Sequence, residues 1–488
     1  MKRTTERFTS SWGVLLATIG MAVGTGNIWR FPRIAAQNGG GEFLIPWLLF
    51  LFLWGIPLLL AEFALGKSSR RGPGAAIGVA TGARHNWMGL FIGLVTTAIT
   101  FYYSVVTGWC LKYLLSSSSG ALRGVDSQAF WDNFTQNSSQ PMLFHGLALA
   151  IGCAIIFRGV RAGIERVNRF LIPTLFVLLL VAAARAVTLP GAAEGLRFLF
   201  VPDLAALANV EIWLAALTQT AWSTGAGWGL VTVLGAYVAR GQGFVKTGIT
   251  AALANNFASL IAGTAVICTV FALSTSAEST NQALSASNEG LTFLWLPPLF
   301  EAMPGGAVLM PLFFLTLCCA AISSLITQLE LVNRMVMDMG VPRKRSVPIV
   351  GAVCFVMGLP SAYSLGFFRN QDWVWGVALL VSGLFVAITV IRYGAERFRT
   401  GQLMGAAESW RVGPWFERII TWIIPIEFIA LISWWMWQAA TASGTDWWNP
   451  FGEFSVGAVI FQVGLLILVC LAIHRAVWKR AGTSADSG

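Results

Sequence analysis

Between Gly20 and Pro32, an apolar segment long enough to cross a lipid bilayer carries Gly20, Gly24, Gly26, Asn27 and Pro32. Glycine and proline weaken a helix interior, and hydrocarbon supplies no water to satisfy the backbone groups they free. A helix broken at that depth must face protein or a water-filled cavity. The carbonyls and half-helix ends it bares suit a cation and a carboxylate. The segment therefore reads as a binding site rather than an anchor.

The rest of the chain sets this break in a membrane protein. Only 11% of its 488 residues are charged, 56% are hydrophobic and the mean hydropathy is +0.69. A soluble chain carries about 25% charged residues. The apolar run after Ser11 is longer than a signal-peptide core and has no small-residue cleavage site. All seven cysteines fall inside apolar segments, without metal-ligand spacing, and read as small buried hydrophobes. His85, His145 and His474 are scattered, with no His/Asp/Glu cluster, which argues against an embedded enzyme. The net charge of +10 reflects membrane orientation and no nucleic-acid partner is expected.

Apolar segments near 12–35, 43–66, 88–115, 142–157, 167–187, 210–238, 247–272, 307–338, 347–367, 373–392, 415–440 and 453–474 predict an all-α integral membrane protein of about twelve spans. The segment 142–157 is short and is expected to extend into its flanks, whereas 291–304 is short and Pro-broken and reads as a helical hairpin over one mouth. Assigned to alternate sides, 25 of the 32 basic residues share the face of the N-terminus. The positive-inside rule then places both termini in the cytoplasm. Two Asn-x-Ser/Thr sequons, at Asn133 and Asn137, fall in an exterior loop and read as incidental.

A second mid-membrane interruption lies at Gln219 to Gly229, where Gly225, Gly227 and Gly229 follow Trp222. It stands five spans after the first and so crosses in the opposite direction. Paired interrupted helices in two inverted halves point to a transporter's central site.

The runs Ala22 to Pro32, Asn38 to Gly41, Gly55 to Pro57 with Glu62, Gly163 to Arg166 with Pro173 to Phe176, the second break, and Ala320 to Ser324 occur in order along the chain. In these it resembles the neurotransmitter:sodium symporters, whose simplest members are the bacterial LeuT-type amino-acid transporters. The resemblance implies a 5+5 inverted repeat with discontinuous helices 1 and 6. The expected division is an N-terminal segment 1–11, a first repeat 12–187, a second repeat 210–392 carrying the hairpin 291–304, two further helices in 414–474, and a cytoplasmic tail 475–488. It also implies sodium-coupled import of an amino acid by alternating access across a bacterial inner membrane. The alternative is a transporter-like sensor or channel, because its binding residues would look the same.

Carried over residue by residue, the resemblance implies two sodium sites. One would use the Ala22 carbonyl, Asn27, Ser223 and Asn255, together with the substrate carboxylate. The other would use the Gly20, Val23 and Ala320 carbonyls with the Ser323 and Ser324 hydroxyls. Hard cations take such oxygen ligands, although serines in a helix also bond back to the preceding turn. Amine-selective relatives place an Asp where this chain has Gly24, so an amino-acid-like substrate is implied. Its carboxylate would meet the Gly24, Thr25 and Gly26 amides and the Tyr103 hydroxyl, and its ammonium the carbonyls near Ala221, Trp222 and Thr224. Its side chain would meet Thr25, Ile99, Trp222, Gly225, Trp228, Ser324, Thr327 and Gln328. Gln328 stands where an aliphatic residue is frequent; it would bond a polar substrate or else the interrupted backbone. Chloride stays open: Gln219, Ser223 and Ser259 suit an anion, but Trp47 replaces the usual Tyr.

Arg30 with Asp372 resembles an exterior gate above a lid of Tyr103 and Trp222. On the cytoplasmic side Tyr237 and Asp338 match, but Thr5 and Phe8 replace the usual Arg and Trp, leaving Arg3 or Arg7 to complete an ionic latch. Glu62 and Glu330 are intramembrane acids expected to be buried hydrogen-bonders. Gly163 and Pro173 carry a spacing at which the fifth span unwinds; a simple proline kink is the alternative.

Overall fold

A computed structural model describes residues 6–136, 139–287, 289–405, 408–441 and 446–486, with side chains through Ala481. Thr5, Arg3 and Asn137 lie outside the described residues. Among the described residues there are helices and no strands. The first apolar segment is two helices, α1 (Ser11–Ala22) and α2 (Thr25–Gln37), bent by 64° at the break. It is followed by α3 (Gly41–Ser69), α4 (Ala83–Ser118), α5 (Gln140–Phe157) and α6 (Val160–Val187). Next come α7 (Val210–Ser223) and α8 (Leu230–Ala236), with residues 224–229 between them. The remaining long helices are α9 (Val245–Leu273), α10 (Gly306–Asp338), α11 (Arg343–Tyr363), α12 (Leu365–Tyr393), α13 (Trp415–Thr441) and α14 (Val456–Ala481). Ten of these are individually long and apolar enough to cross a membrane, and the α1–α2 pair supplies an eleventh span.

Burial divides the helices into two groups. About three-quarters of the most apolar window of α4, α10 and α12 is buried, against 22% for α6 and 28% for α13. With little hydrophobic drive between helices in lipid, close packing of small residues becomes decisive. A Cβ added at Gly66 of α3 would come within 1.9 Å of the Thr232 carbonyl oxygen of α8, and one at Gly235 of α8 within 2.7 Å of the Phe63 carbonyl oxygen. Glycines at these two positions let the backbones of α3 and α8 touch. The seven cysteines are all free, and six are fully buried.

The structure revises several boundaries. The division between the ninth and tenth spans falls at Ser364, whose side chain caps α12 by accepting from the Phe367 amide at 3.2 Å. The polar run Arg369 to Asp372 is therefore helical rather than a connection between 367 and 373. Segment 142–157 gains only Gln140 and Pro141. Around 291–304, residues Gly290–Trp295 and Leu296–Ala302 form one continuous short helix, preceded by a separate helix Ala277–Ser285. Pro297 and Pro298 do not break it; they lie where the wide-turn stretch Gly290–Trp295 passes into the tighter Leu296–Ala302. Phe293 of this segment stacks on Trp131, centroids 5.3 Å apart, and lies 6.1 Å from Trp29 of α2. At the chain's end α14 continues past 474, and at its start Phe8 is buried, its amide donating to the Tyr237 carbonyl at 3.1 Å. Gly163 lies in a wide-turn helical stretch, Val160–Glu165, that runs unbroken into the helix containing Pro173.

Candidate substrate and ion site

The two breaks meet at the centre of the bundle, and neighbouring side chains satisfy much of the freed backbone. In the second break Gly225, Gly227 and Gly229 adopt φ of 70°, 87° and 76°, a left-handed conformation that glycine alone takes without strain. Glu62 of α3 accepts from the Gly227 amide at 2.7 Å and the Gly229 amide at 3.2 Å. Its other oxygen accepts from the Thr232 amide at 3.2 Å and the Thr232 hydroxyl at 3.3 Å. The Thr96 hydroxyl donates to the Trp228 carbonyl at 2.6 Å. In the first break the Asn27 side-chain oxygen accepts from the Gly24 amide at 2.9 Å, and the Thr25 amide donates to the Tyr103 hydroxyl at 3.2 Å. Glu62 thus behaves as the buried hydrogen-bonder expected of it.

Asn27 gathers the first expected ion set. Its amide nitrogen lies 2.8 Å from Asn255 Oδ1, 3.3 Å from Ser223 Oγ and 2.8 Å from Ser259 Oγ. Asn255 Oδ1 also lies 3.0 Å from the Ala22 carbonyl oxygen and 3.1 Å from the Ser223 carbonyl oxygen. Three oxygens that close repel one another. Two arrangements relieve the repulsion: turning the Asn255 amide so that its nitrogen donates to both carbonyls, or a cation among the oxygens. The donor set fits an alkali cation because every member is a carbonyl, amide or hydroxyl oxygen.

In the second expected set, Ser324 Oγ donates to the Gly20 carbonyl at 3.2 Å and the Met21 carbonyl at 3.1 Å, bridging α10 to α1. Ser323 Oγ donates to the Ala320 carbonyl at 3.0 Å, the back-bonding geometry of a helical serine. Val23 is fully buried at the end of α1. At the expected anion set, the Trp47 indole nitrogen and both polar atoms of the Gln219 amide are buried without a hydrogen-bond partner among the described residues. Ser259 Oγ accepts from Asn27.

A cavity of about 350 Å³ opens beside these groups. Eleven of the expected substrate residues line it: Ala22, Gly24, Thr25, Gly26, Ile99, Tyr103, Trp222, Gly225, Trp228, Ser324 and Gln328. Ala221, Thr224 and Thr327 do not. The Thr224 hydroxyl turns back to the Thr220 carbonyl at 2.9 Å and that of Thr327 to the Ser323 carbonyl at 3.5 Å. Met21, absent from the expected set, lines the wall instead, its sulfur filling the space beside Gly225. Trp222 and Trp228 pack edge to face, centroids 5.9 Å apart.

The cavity extends along α2 to Arg30, Arg33, Glu289, Arg369 and Asp372. The expected gate pair, Arg30 and Asp372, faces this space without an ion pair among the described residues. The Arg30 guanidinium instead lies 4.6 Å from the Trp222 ring centroid, and Glu289 pairs with Arg369 at 3.1 Å.

The opposite end, where α1 begins, is closed. Among the described residues Asp338 is held by Arg334 at 2.9 Å and by the Gly72 amide at 2.7 Å; Arg7 is solvent-exposed, and Arg3, the other arginine expected there, lies outside the described residues. The N-terminal segment contributes an acid. Glu6 accepts from Arg343 at 2.8 and 2.5 Å, and Arg343 reaches both oxygens of buried Glu330 at 2.6 Å. Tyr237 donates to Glu330 at 2.5 Å. Glu165 of α6 adds a second tie, accepting from the Thr9 amide at 2.9 Å and from the Thr9 hydroxyl. Glu330 was visible as an intramembrane acid, but its arginine lies across the α10–α11 turn and its second acid 324 residues away.

The sodium:neurotransmitter symporter family model matches residues 5–141 and 140–480. An uncharacterized sodium-dependent transporter of Methanocaldococcus jannaschii is 29% identical over 88% of this chain and 89% of its own. The sodium-dependent serotonin transporter of Drosophila melanogaster is 26% identical over 98% of this chain and 84% of its own. The crystal structure of MhsT in complex with L-phenylalanine superposes with a TM-score of 0.78 at 30% identity, covering 88% of this chain and 99% of that one. The chain belongs to the sodium:neurotransmitter symporter family, and is a multi-pass membrane transporter of LeuT-like fold with sodium as its coupling ion rather than an enzyme.

Proposed function

We propose that this protein imports an amino acid together with two sodium ions by alternating access, and that the site lies between the two breaks. The observation that carries the reading is the convergence of the Asn27, Ser223 and Asn255 side chains with the Ala22 and Ser223 carbonyls beside the amides of Gly24 to Gly26. Bound sodium would draw its ligands from this oxygen-rich set. Gly24 leaves no acid to meet a lone amine, so the substrate carries its own carboxylate, held by the half-helix amides and Tyr103. Ala22, Asn27, Ser223 and Asn255 hold the first ion; Gly20, Val23, Ala320, Ser323 and Ser324 hold the second. MhsT, with L-phenylalanine bound, is a similar protein with an amino acid in place.

Orientation follows from charge: with 25 of 32 basic residues on the face of the termini, that face is cytoplasmic, and the short exterior loop around Asn133, without a cysteine pair, favours a bacterial inner membrane. The chain is then in an outward-facing state, with the Arg30–Asp372 gate apart and the Glu6–Arg343–Glu330–Tyr237 latch shut. The first repeat comprises 12–187, the second 210–392. One charge crossing 100 mV is worth ~2.3 kcal/mol and a tenfold gradient adds ~1.4 kcal/mol, so each coupled ion supports roughly 500-fold accumulation of a zwitterion. The orphaned Trp47 and Gln219 donors favour chloride beside the first sodium, with Ser223 and Ser259 completing the set.

The test is binding of labelled amino acids to purified protein in sodium against choline, followed by uptake into proteoliposomes. Sodium-dependent binding, abolished by Asn27→Ala, is expected. Equal binding in the two cations would overturn the proposal.

A further inference from the structure

The side-chain end of the cavity holds one group that the ion and backbone contacts leave unused. Gln328 is 2% exposed, lines the cavity, and makes no hydrogen bond among the described residues; its Oε1 is buried without a partner. It does not serve the interrupted backbone, which Glu62, Thr96 and Tyr103 satisfy. A buried amide left unpaired costs about 1–3 kcal/mol, and a binding site recovers that cost when its ligand supplies the missing partners.

The placement fits a substrate side chain. Ser324, one helical turn before Gln328 on α10, lies with Tyr103 beside Gly24, each hydroxyl 2.9 Å from where a Cβ at Gly24 would stand. Gln328 is therefore about 6 Å further along α10, the reach of a side chain three or four bonds long. The charged groups lining the cavity, Arg30, Arg33, Glu289, Arg369 and Asp372, belong to α2, the short-helix region and the start of α12. The lining outside that charged group includes Met21, Thr25, Ile99, Gly225 and Trp228, none of them ionised, and an ionised side chain set among these would go uncompensated. The Trp222 and Trp228 indole nitrogens are also buried and without a partner among the described residues, adding donors for a neutral oxygen.

The geometry points to an amino acid with a side-chain carboxamide, glutamine or asparagine, as the preferred substrate, with Gln328 as the residue that selects it. An amide offers a donor and an acceptor in one plane and answers both ends of Gln328; a hydroxyl answers one at a time, and an aliphatic chain neither. This inference rests on the amino-acid symporter reading above.

The experiment is a competition panel in sodium, with glutamine, asparagine, methionine, leucine, phenylalanine and glutamate against the wild-type protein and Gln328→Leu. A site built to hydrogen-bond its ligand rejects analogues that lack the partner. The wild type is expected to favour a carboxamide over methionine, leucine and glutamate by about tenfold or more. Gln328→Leu should lose that preference while retaining sodium-dependent binding of methionine or leucine. Tighter wild-type binding of leucine, methionine or phenylalanine overturns the inference and leaves the symporter reading standing. If no amino acid binds better in sodium than in choline, the symporter reading itself fails. Should the variant misfold, the wild-type panel alone still decides.

Discussion

The tie between Glu6 and Arg343 lends itself to a quantitative test. The two carboxylate oxygens accept two guanidinium hydrogen bonds, at 2.8 and 2.5 Å, and Arg343 is also bound to buried Glu330. Glu6→Gln keeps the length of the side chain and removes its charge, converting charge-assisted bonds into weaker neutral ones. Glu6 is 33% exposed, so solvent screening reduces the loss to about 1 kcal/mol. That free energy changes an equilibrium about fivefold. Because the tie exists only while this end is closed, its loss favours opening there. A cysteine at Ala17, fully buried in α1, should react with a membrane-permeant thiol reagent about five times faster in the Glu6→Gln background than in the parent. The parent protein without the added cysteine serves as control, because six of its seven native thiols are buried and the seventh, Cys153, is partly so. An unchanged or slower reaction would show that Glu6 does not hold the end shut. Glu6→Asp should give an intermediate rate.

Glu62→Gln places an NH₂ against N–H donors whichever way the amide turns, since both carboxylate oxygens accept from backbone amides. A loss of about 2–4 kcal/mol is expected, measured as a lowered thermal midpoint in detergent; an unchanged midpoint would refute the capping role. Gly24→Ala puts a methyl 2.9 Å from both the Ser324 and Tyr103 hydroxyls. Overpacking of that kind costs about 1–3 kcal/mol, so substrate affinity should fall about tenfold or more while detergent-solubilised yield is kept. Normal affinity would mean the carboxylate binds elsewhere. Trp47→Phe removes the indole donor without emptying the site. Sodium binding should be enhanced by chloride in the parent and indifferent to it in the variant; equal chloride enhancement in both would remove Trp47 from the anion site.

The sequence signals that proved most readable were those costly to keep in a membrane. Gly24 and Gly26 beside Asn27, and three glycines between Gly225 and Gly229, mark both breaks because nothing else in an apolar span tolerates them. The polar run Arg369 to Asp372 misled for the same reason: four polar residues look like a loop, yet they form a helical turn in which Arg369 and Asp372 line the cavity while Asn370 and Gln371 bond to Gly452 and Gln462. The closed end was not readable. Asp338 takes Arg334, one turn before it on the same helix, as a partner, and the acid Glu6 meets Arg343; a pairing of such sequence separation as Glu6 with Arg343 leaves no periodic trace. Met21 was missed because a methionine in an apolar run is indistinguishable from packing until Gly225 is seen opposite it.

Two kinds of joint attach the half-helices to the rest of the bundle. At α8 the main chain of one helix lies directly on that of another, and a single carboxylate from α3 plugs three amides, so the two cannot part without stranding charge in a dry interior. At α1 the fastening is a few side-chain tips, Glu165 on Thr9 and the contacts around Phe8 and Glu6, each reachable by water as soon as it loosens. A mechanism that exposes the cargo to the other compartment therefore has a ready hinge in α1 and a fixed jaw in α8, with α3 travelling wherever the jaw goes.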